Sequence, residues 1–245
     1  RGWPTQGEQL LCRIVGADPR SPAIHADLAE TRLGLQNWPA AKQSFAQAQA
    51  LDNDHGAVNR ATISFDLHNR YEFSTDAGYG QGDGANYFGN RDWRVDTWLY
   101  SRPIAENWRA EWRWMNWRLT GEVNGGSNAA AGLTATARWK PDDYWTLFGA
   151  AESRTNEIPL RAVRDGVNAS RTSLGFDWRA HESRKLSLAA SFTDFSDSNQ
   201  RSALNLAWQE RWYSSPRWMF ETTLGLDGSH NTLENGFSYF NPKND

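Results

Sequence analysis

Charged side chains stand at every second position along several short segments of this 245-residue chain. Asp, Arg and Asp alternate with apolar residues over 92–96, and Arg, Glu and Arg do so over 109–113. Residues two apart lie on the same face of a β-strand. Such groups perform no covalent step, but along a channel they attract and guide a charged solute. The pattern therefore predicts a charged wall.

Residues that could perform covalent chemistry are scattered. His68, His181 and His230 lie in different segments, and the paired carboxylates have no recognisable glycosidase context. The single Cys12 excludes a disulfide framework and a multi-cysteine zinc site. With a net charge of −3, the composition does not suggest a nucleic-acid partner. We expect no catalytic residue, no metal and no cofactor, and hence no enzyme.

The elements that would carry this wall are short segments in which apolar and polar residues alternate. Period-two alternation indicates β-strands with two different faces. A tilted strand crosses a bilayer core in about 9–11 residues, a length that these segments approach. The nine segments are 70–79, 92–99, 108–114, 133–139, 145–151, 171–179, 185–192, 204–211 and 217–227.

Hydropathy alone suggests no membrane protein, because the mean hydropathy is −0.75. The mean hydropathy does not detect a membrane barrel, since only alternate residues of each strand face lipid. Bulky aromatic residues cluster at the ends of the predicted strands, as in interfacial girdles, whereas a soluble sandwich, the alternative, would place them near strand centres. The residues are Tyr71, Tyr79, Trp93, Trp108, Trp139, Trp145, Trp178, Trp212 and Trp218.

The connections between the predicted strands alternate in length, which indicates orientation. Membrane barrels have short periplasmic turns and longer external loops. The first long connection follows the first strand, so we expect that strand to begin in the periplasm. The longer connections are 80–91, 119–128, 153–169 and 194–200, and the tight ones are 102–107, 140–143, 180–183 and 213–216.

The N-terminal part has the spacing of helices instead. Ala41, Phe45 and Ala48 fit a tetratricopeptide-repeat helix, and Trp-Pro occurs at 3–4 and again at 38–39. A simple helical hairpin is the alternative. We predict the end of a periplasmic repeat scaffold over 1–57, a linker over 58–69 and an incomplete barrel over 70–245. Two partial repeats and nine strands are unusual numbers, so we expect both parts to continue beyond this sequence.

Several stretches are specific enough to suggest a family. They read Ile-Pro-Leu-Arg-Ala at 158–162, Asp-Gly-Val at 165–167 and Phe-Thr-Asp-Phe-Ser-Asp-Ser-Asn-Gln-Arg at 192–201, with shorter ones at 209–211, 214–216 and 239–242. The barrel part resembles the PgaA family of outer-membrane exporters of poly-β-1,6-N-acetyl-D-glucosamine, most closely after residue 155. The resemblance implies an all-β transmembrane antiparallel up-and-down barrel of 16 strands, of which this chain holds about nine, after a short helical tetratricopeptide-like segment.

The same resemblance implies a function. Family members pass a partly de-N-acetylated polysaccharide through the outer membrane to build biofilm matrix. The implied partners are the polysaccharide, outer-membrane lipid and a periplasmic polysaccharide deacetylase. The alternatives are a barrel that exports another polymer, such as cellulose or alginate, and a barrel enzyme or adhesin. An anionic polymer such as alginate would select a net basic path.

The polar positions of the predicted strands are the candidate pore lining. A de-acetylated unit carries an ammonium, so carboxylates would guide it; the alternative is that the charges only form cross-strand ion pairs. Trp98 could stack on sugar rings or pack under a loop. The candidates are Glu72, Asp76, Asp92, Asp96, Glu111, Asp177, Glu221 and Asp227, with Arg94, Arg109, Arg113 and Trp98.

The long connection over 153–169 is a separate candidate. It carries Arg161, Arg164 and Asp165 among apolar residues. Apolar residues in an external loop indicate packing, so we predict that this loop folds inward and constricts the pore. A self-packed external flap is the alternative.

Overall fold

The computed structural model describes residues 4–81, 91–120, 127–154, 166–181, 183–215 and 217–232. Four helices come first and are followed by a single sheet of nine strands among these residues. The predicted constriction residues Arg161, Arg164 and Asp165 lie outside the described residues.

The helices form two similar pairs. They are α1 (Pro4–Ala17), α2 (Pro22–Gly34), α3 (Trp38–Leu51) and α4 (Gly56–His68). α1 and α3 begin 34 residues apart, and so do α2 and α4, which is the period of a tetratricopeptide repeat. A proline in the first turn and a polar N-cap start α2 and α3, where Ser21 and Asn37 accept backbone hydrogen bonds. Of the described residues, no helix is long and apolar enough to span a membrane.

Small residues allow these helices to pack closely. Ala29 of α2 and Ala41 of α3 are fully buried, and they share a cluster with Phe65 of α4. The Phe45 and Phe65 rings stack with their centroids 4.4 Å apart. The prediction of a linker over 58–69 is therefore wrong in its local structure: Val58, Ala61 and Phe65 are buried core residues of α4. The sequence reading stopped the helical pattern one helix too early.

Each strand pairs antiparallel with the next one along the chain, in the order β1 to β9. This is the up-and-down connectivity that we predicted. The strands are 9 to 15 residues long, enough to cross a bilayer core when tilted. They are β1 (Glu72–Gln81), β2 (Arg91–Tyr100), β3 (Trp108–Thr120), β4 (Ser127–Trp139), β5 (Trp145–Ser153), β6 (Ala169–His181), β7 (Arg184–Phe195), β8 (Gln200–Ser214) and β9 (Met219–Asn231).

Several strands are longer than we predicted, and they shorten the connections. β3 runs to Thr120 and β4 begins at Ser127, so the connection between them is 121–126 rather than the predicted 119–128. Likewise β7 ends at Phe195 and β8 begins at Gln200. The predicted regular alternation of long and short connections is therefore wrong for these two, and the longer connections are those that follow β1 and β5.

The register divides the side chains of the sheet into two faces. One face, here called the apolar face, carries large exposed side chains such as Phe73, Trp114, Leu174 and Leu224, which are 55% to 71% exposed. Near the ends of neighbouring strands, the rings of Trp108 and Trp139 stack 5.6 Å apart. Such a surface with aromatic ends is the lipid-facing side of a membrane barrel. The opposite side is called the polar face.

Candidate pore wall

The register brings the predicted lining residues together. Asp76 pairs with Asp96, and Trp98 with Arg113, so the β1 to β3 candidates share the polar face. Glu111 pairs with Thr136 on β4, and the register continues this face across β5 to β9, through Ala150, Ser173, Ser191, Ala203 and Ser229. Asp177, Glu221 and Asp227 have the same spacing on β6 and β9, so they lie on this face too. Asp92 pairs with Gly80 in the backbone register, but its side chain lies outside the described ones.

Asp96 is the most enclosed of the candidates. Its residue is 4% exposed, and its Oδ2 accepts hydrogen bonds from Arg94 at 2.6 Å and from Arg113 at 3.1 Å. Two guanidinium groups on one carboxylate offset its loss of hydration. Directly opposite lies Asp76, so the same two arginines also reduce the repulsion between facing carboxylates. Asp96 therefore holds the wall together and is closed to a solute.

The middle of the face contains two more cross-strand ion pairs. Arg138 Nε donates to Glu111 at 3.3 Å, and Arg171 donates to Glu152 at 2.7 Å. Glu152 is only 8% exposed, and our sequence reading missed it because the predicted strand ended one residue earlier, at 151. Glu152 is two residues after Ala150 on β5, so the two side chains lie on the same face, and this spacing could have identified it.

The last strands repeat the arrangement. Lys185 lies 3.1 Å from Asp177, which also accepts a hydrogen bond from Ser187 at 2.6 Å. Glu221 accepts from Arg211 at 3.2 Å and from Gln209 at 2.5 Å. Within the described residues, Asp227 accepts a hydrogen bond from the neutral amide of Asn205 and makes no ion pair, so no described cation compensates its charge directly.

The polar face is nearly balanced in charge over the side chains that the structure describes. Its eight carboxylates are Glu72, Asp76, Asp96, Glu111, Glu152, Asp177, Glu221 and Asp227, and its nine bases are Arg94, Arg109, Arg113, Arg138, Arg171, Arg179, Lys185, Arg201 and Arg211. Most of the carboxylates are in ion pairs. Glu72 and Asp76 lie on β1, the first strand of the described sheet, which pairs there with β2 alone. Both are exposed, and neither makes a hydrogen bond or ion pair within the described part of the chain, although the Arg109 charge lies close enough to interact with Glu72.

Two aromatic rings on this face lie beneath arginines. The Arg113 guanidinium is 5.3 Å from the Trp98 ring centre, and the Arg138 guanidinium is 5.7 Å from that of Phe148. Each contact is a cation–π interaction that orients the arginine. Trp98, a predicted stacking residue, thus has one ring face covered by Arg113.

The helices dock at the end of the sheet where the tight turns lie. Arg109 Nη2 lies 3.0 Å from His68 Nδ1 and donates to the His68 carbonyl at 3.3 Å. The same guanidinium is 5.3 Å from the Trp38 ring centre, and Trp38 packs against His68. Arg109, predicted to face the pore, is therefore held at its mouth by α3 and α4.

The α2–α3 turn makes the other docking contacts. Lys140, in the turn between β4 and β5, donates to the Leu35 carbonyl at the end of α2 at 3.1 Å. Asn37 donates to Asp143 at 2.6 Å, and burial lowers the pKa of Lys140 and raises that of Asp143. Sequence reasoning missed these residues, because nothing in the local pattern indicates which turn a distant helix will contact.

Comparison with known proteins explains this architecture. The family model described as "PgaA membrane beta barrel domain" matches residues 110–245, more than half of the chain. The chain belongs to this family. Its nine strands are part of an outer-membrane β-barrel, as the resemblance in the sequence implied.

Two curated relatives of this PgaA-family chain are the poly-beta-1,6-N-acetyl-D-glucosamine export proteins of Escherichia coli K12 and O157:H7. Each is 29% identical over 271 residues, covering 99% of this chain and 33% of the relative. The chain thus spans about a third of these relatives' length. A solved structure, a bacterial polysaccharide outer membrane secretin, is 25% identical with a TM-score of 0.52, over 71% of this chain and 68% of that one.

The His68 contact makes the docking of the helices in this PgaA-family chain sensitive to pH. Burial, with the nearby Arg109 charge, lowers the pKa of His68 to about 4 from 6.5. Neutral Nδ1 can accept from Arg109, whereas a protonated ring would present a second donor. Undocked His68 takes up a proton below about pH 6.5 and docked His68 only near 4, so docking is complete above this window and weakens as the pH falls through it.

We therefore expect spin labels at Arg60 of α4 and Asp142 of the β4–β5 turn to show one short distance at pH 7.5 and a broader distribution at pH 4.5. In His68→Gln, which keeps a neutral acceptor, the distribution should change much less with pH, since only Asp143 of the described docking contacts still titrates with a raised pKa. Equal broadening in that variant and in the natural protein would contradict the role of His68.

Proposed function

We propose that this chain forms the periplasmic mouth and part of the wall of an outer-membrane pore that exports partly de-N-acetylated poly-β-1,6-N-acetyl-D-glucosamine. The observation that carries this proposal is the single polar face of the sheet, which lies opposite a lipid-facing apolar surface in a PgaA-family barrel. The names of the two Escherichia coli relatives support the polymer's identity. No covalent step is required of the wall.

The charge balance refines the predicted acidic path. An ion-paired carboxylate has little attraction left for a passing ammonium, because its own arginine already neutralises it. The carboxylates that can attract a de-acetylated unit are therefore those without an ion pair, above all Glu72 and Asp76 on β1. The paired residues give a hydrated and rigid wall that does not bind the polymer tightly.

The alternatives find less support in this arrangement. An anionic polymer such as alginate would favour a strongly basic wall, whereas the described polar face carries nearly as many acids, eight, as bases, nine. The relatives are named as export proteins, which supports transport over an enzyme or adhesin role. A periplasmic polysaccharide deacetylase as partner stays a prediction from the family resemblance.

Neutralising the two unpaired carboxylates tests the proposal. In cells in which the variant replaces the natural protein, Glu72→Gln/Asp76→Asn should lower polymer at the cell surface about fivefold, since the two exposed charges together contribute roughly 1 kcal/mol of attraction to a nearby ammonium. Surface polymer would be measured with a polymer-binding lectin and divided by the amount of folded protein in the outer membrane.

The matched control removes the same charge from the helices. Asp18 and Asp66 are exposed and belong to the helical part rather than to the sheet, so Asp18→Asn/Asp66→Asn should export normally. Equal export by the two double variants would contradict guidance by the β1 carboxylates. Normal surface polymer in cells that lack the protein altogether would overturn the export function itself.

A further inference from the structure

A cavity of about 320 Å³ lies where the helices meet the pore mouth. We call it the junction cavity, and its polar lining comprises Gln36, Asn107, Arg109, Arg138 and Lys140, with Trp38 at its side. Its volume is at the lower end of the range for small-molecule sites, which suits one sugar unit. Because it is formed by both the α2–α3 turn and the first polar row of β3 and β4, it lies between the helical scaffold and the pore.

The lining is cationic and rich in hydrogen-bond donors. Arg109, Arg138 and Lys140 come together there, and no carboxylate belongs to the described lining. Arg138 is the lining cation most accessible to a ligand, because its side chain is 44% exposed. Its one hydrogen bond within the described residues is donated by Nε to Glu111. Its two terminal amino groups therefore remain able to donate, while Arg109 is committed to His68.

This chemistry distinguishes the two kinds of unit in a partly de-N-acetylated polymer. A de-acetylated unit carries an ammonium, which Arg109 and Lys140 repel, while Arg138 adds less repulsion because Glu111 already pairs with it. An acetylated unit is neutral, and the carbonyl oxygen of its acetamido group accepts hydrogen bonds from an arginine. The half-buried Trp38 ring and the Leu33 side chain, both in the cavity lining, provide apolar surface for the acetyl methyl group.

We propose that the junction cavity is an entrance subsite that takes N-acetylated hexosamine units and rejects de-acetylated ones. The inference rests on the proposed export function and extends it. Acetylated units are held at the cationic mouth, whereas the ammonium groups of de-acetylated units are attracted by Glu72 and Asp76. The mouth of the pore thereby responds to the pattern of acetylation along the polymer.

The test compares two probes on the natural protein in detergent micelles. These are a β-1,6-linked N-acetylglucosamine pentasaccharide and the same pentasaccharide fully de-acetylated. Binding is measured by calorimetry, and contact with the acetyl methyl groups by saturation-transfer NMR. We expect the cavity to bind the acetylated probe, and Arg138→Gln to weaken that binding about fivefold, the loss of one charge-assisted hydrogen bond.

Two further variants make the result specific. Lys185→Gln removes one cation from the same face, also paired with one carboxylate but outside the cavity, and should bind the acetylated probe like the natural protein. Arg138→Lys keeps the charge and should retain the rejection of the de-acetylated probe. Folding of each variant is checked by its resistance to unfolding in detergent at room temperature.

Three outcomes would overturn the subsite. They are equal affinity of the natural protein for both probes, equal weakening in Arg138→Gln and Lys185→Gln, and full displacement of the acetylated probe by millimolar inorganic phosphate, which would indicate a simple anion site. If the de-acetylated probe alone binds and its binding requires Glu72 and Asp76, the subsite fails while the export function stands. If neither probe binds, the subsite fails, and the export function is decided by the surface polymer of the cells described above.

Discussion

Gly175→Ala should prevent the barrel wall from assembling. A Cβ atom at Gly175 would lie 2.5 Å from the Leu188 carbonyl oxygen on β7 and 2.6 Å from the Phe148 ring on β5. Real Cβ contacts are not this short, and a backbone oxygen cannot rotate away as a side chain can. We expect a loss of about 3 kcal/mol in the free energy of unfolding, the upper range for overpacking.

The measurement is the folded fraction after refolding into micelles, followed along a urea titration. Gly225→Ala on β9 is the matched control, because a Cβ atom there has no heavy atom within 4 Å. It should unfold like the natural protein. Phe148→Ala/Gly175→Ala should recover only part of the loss, since the contact with the Leu188 carbonyl oxygen remains. Full stability of Gly175→Ala would show that β6 can separate from its neighbours at no cost.

Asp96→Ala should be the most damaging change among the charged candidates. The side chain of Asp96 is 6% exposed and neutralises both Arg94 and Arg113. Its removal leaves two like charges side by side on the polar face. Breaking a buried ion pair costs about 3–5 kcal/mol, but Arg94 is 45% exposed and can regain water. We therefore expect a loss of about 2 kcal/mol.

Asp76→Ala is the control on the facing strand. Asp76 is directly opposite Asp96, yet it is exposed and has no ion pair in the described part of the chain. Its removal should change the free energy of unfolding by less than about 0.5 kcal/mol, as for ordinary surface positions. The order should be reversed for export per folded protein: Asp76→Ala should lower it more than Asp96→Ala does, because Asp76 is open to a passing ammonium and Asp96 is not. If both variants unfold at the same urea concentration, Asp96 does not hold the wall together.

The face of each charged residue could be predicted from the sequence. Side chains alternate along a strand by local backbone geometry, so Glu72, Glu111 and Asp227 could be assigned to one face without any knowledge of pairing. The same applies to the helical repeat, whose period of 34 residues is close to the 35-residue spacing of the two Trp-Pro pairs. α4 was missed because small residues such as Ala57 and Ala61 are equally common in linkers.

What each charged residue does could not be predicted in this way. Asp76 and Asp96 look alike in the sequence, yet one is exposed and the other is enclosed by two arginines. The difference depends on which residues the register places across β2 and β3, and a shift of one residue would separate them. The close approach at Gly175 depends likewise on the backbone of β7 and on a ring from β5.

Local sequence thus determined the strands, the two faces and the helical period of this protein, because each depends on neighbours a few residues apart. The tertiary structure decided the ion pairs, the enclosure of Asp96 and the docking of the helices at the pore mouth. The decisive docking contacts join residues that are 41 and 105 positions apart, Arg109 with His68 and Lys140 with Leu35. Such contacts cannot be predicted from neighbouring residues, because they form only once the sheet has formed and the helices have packed against it.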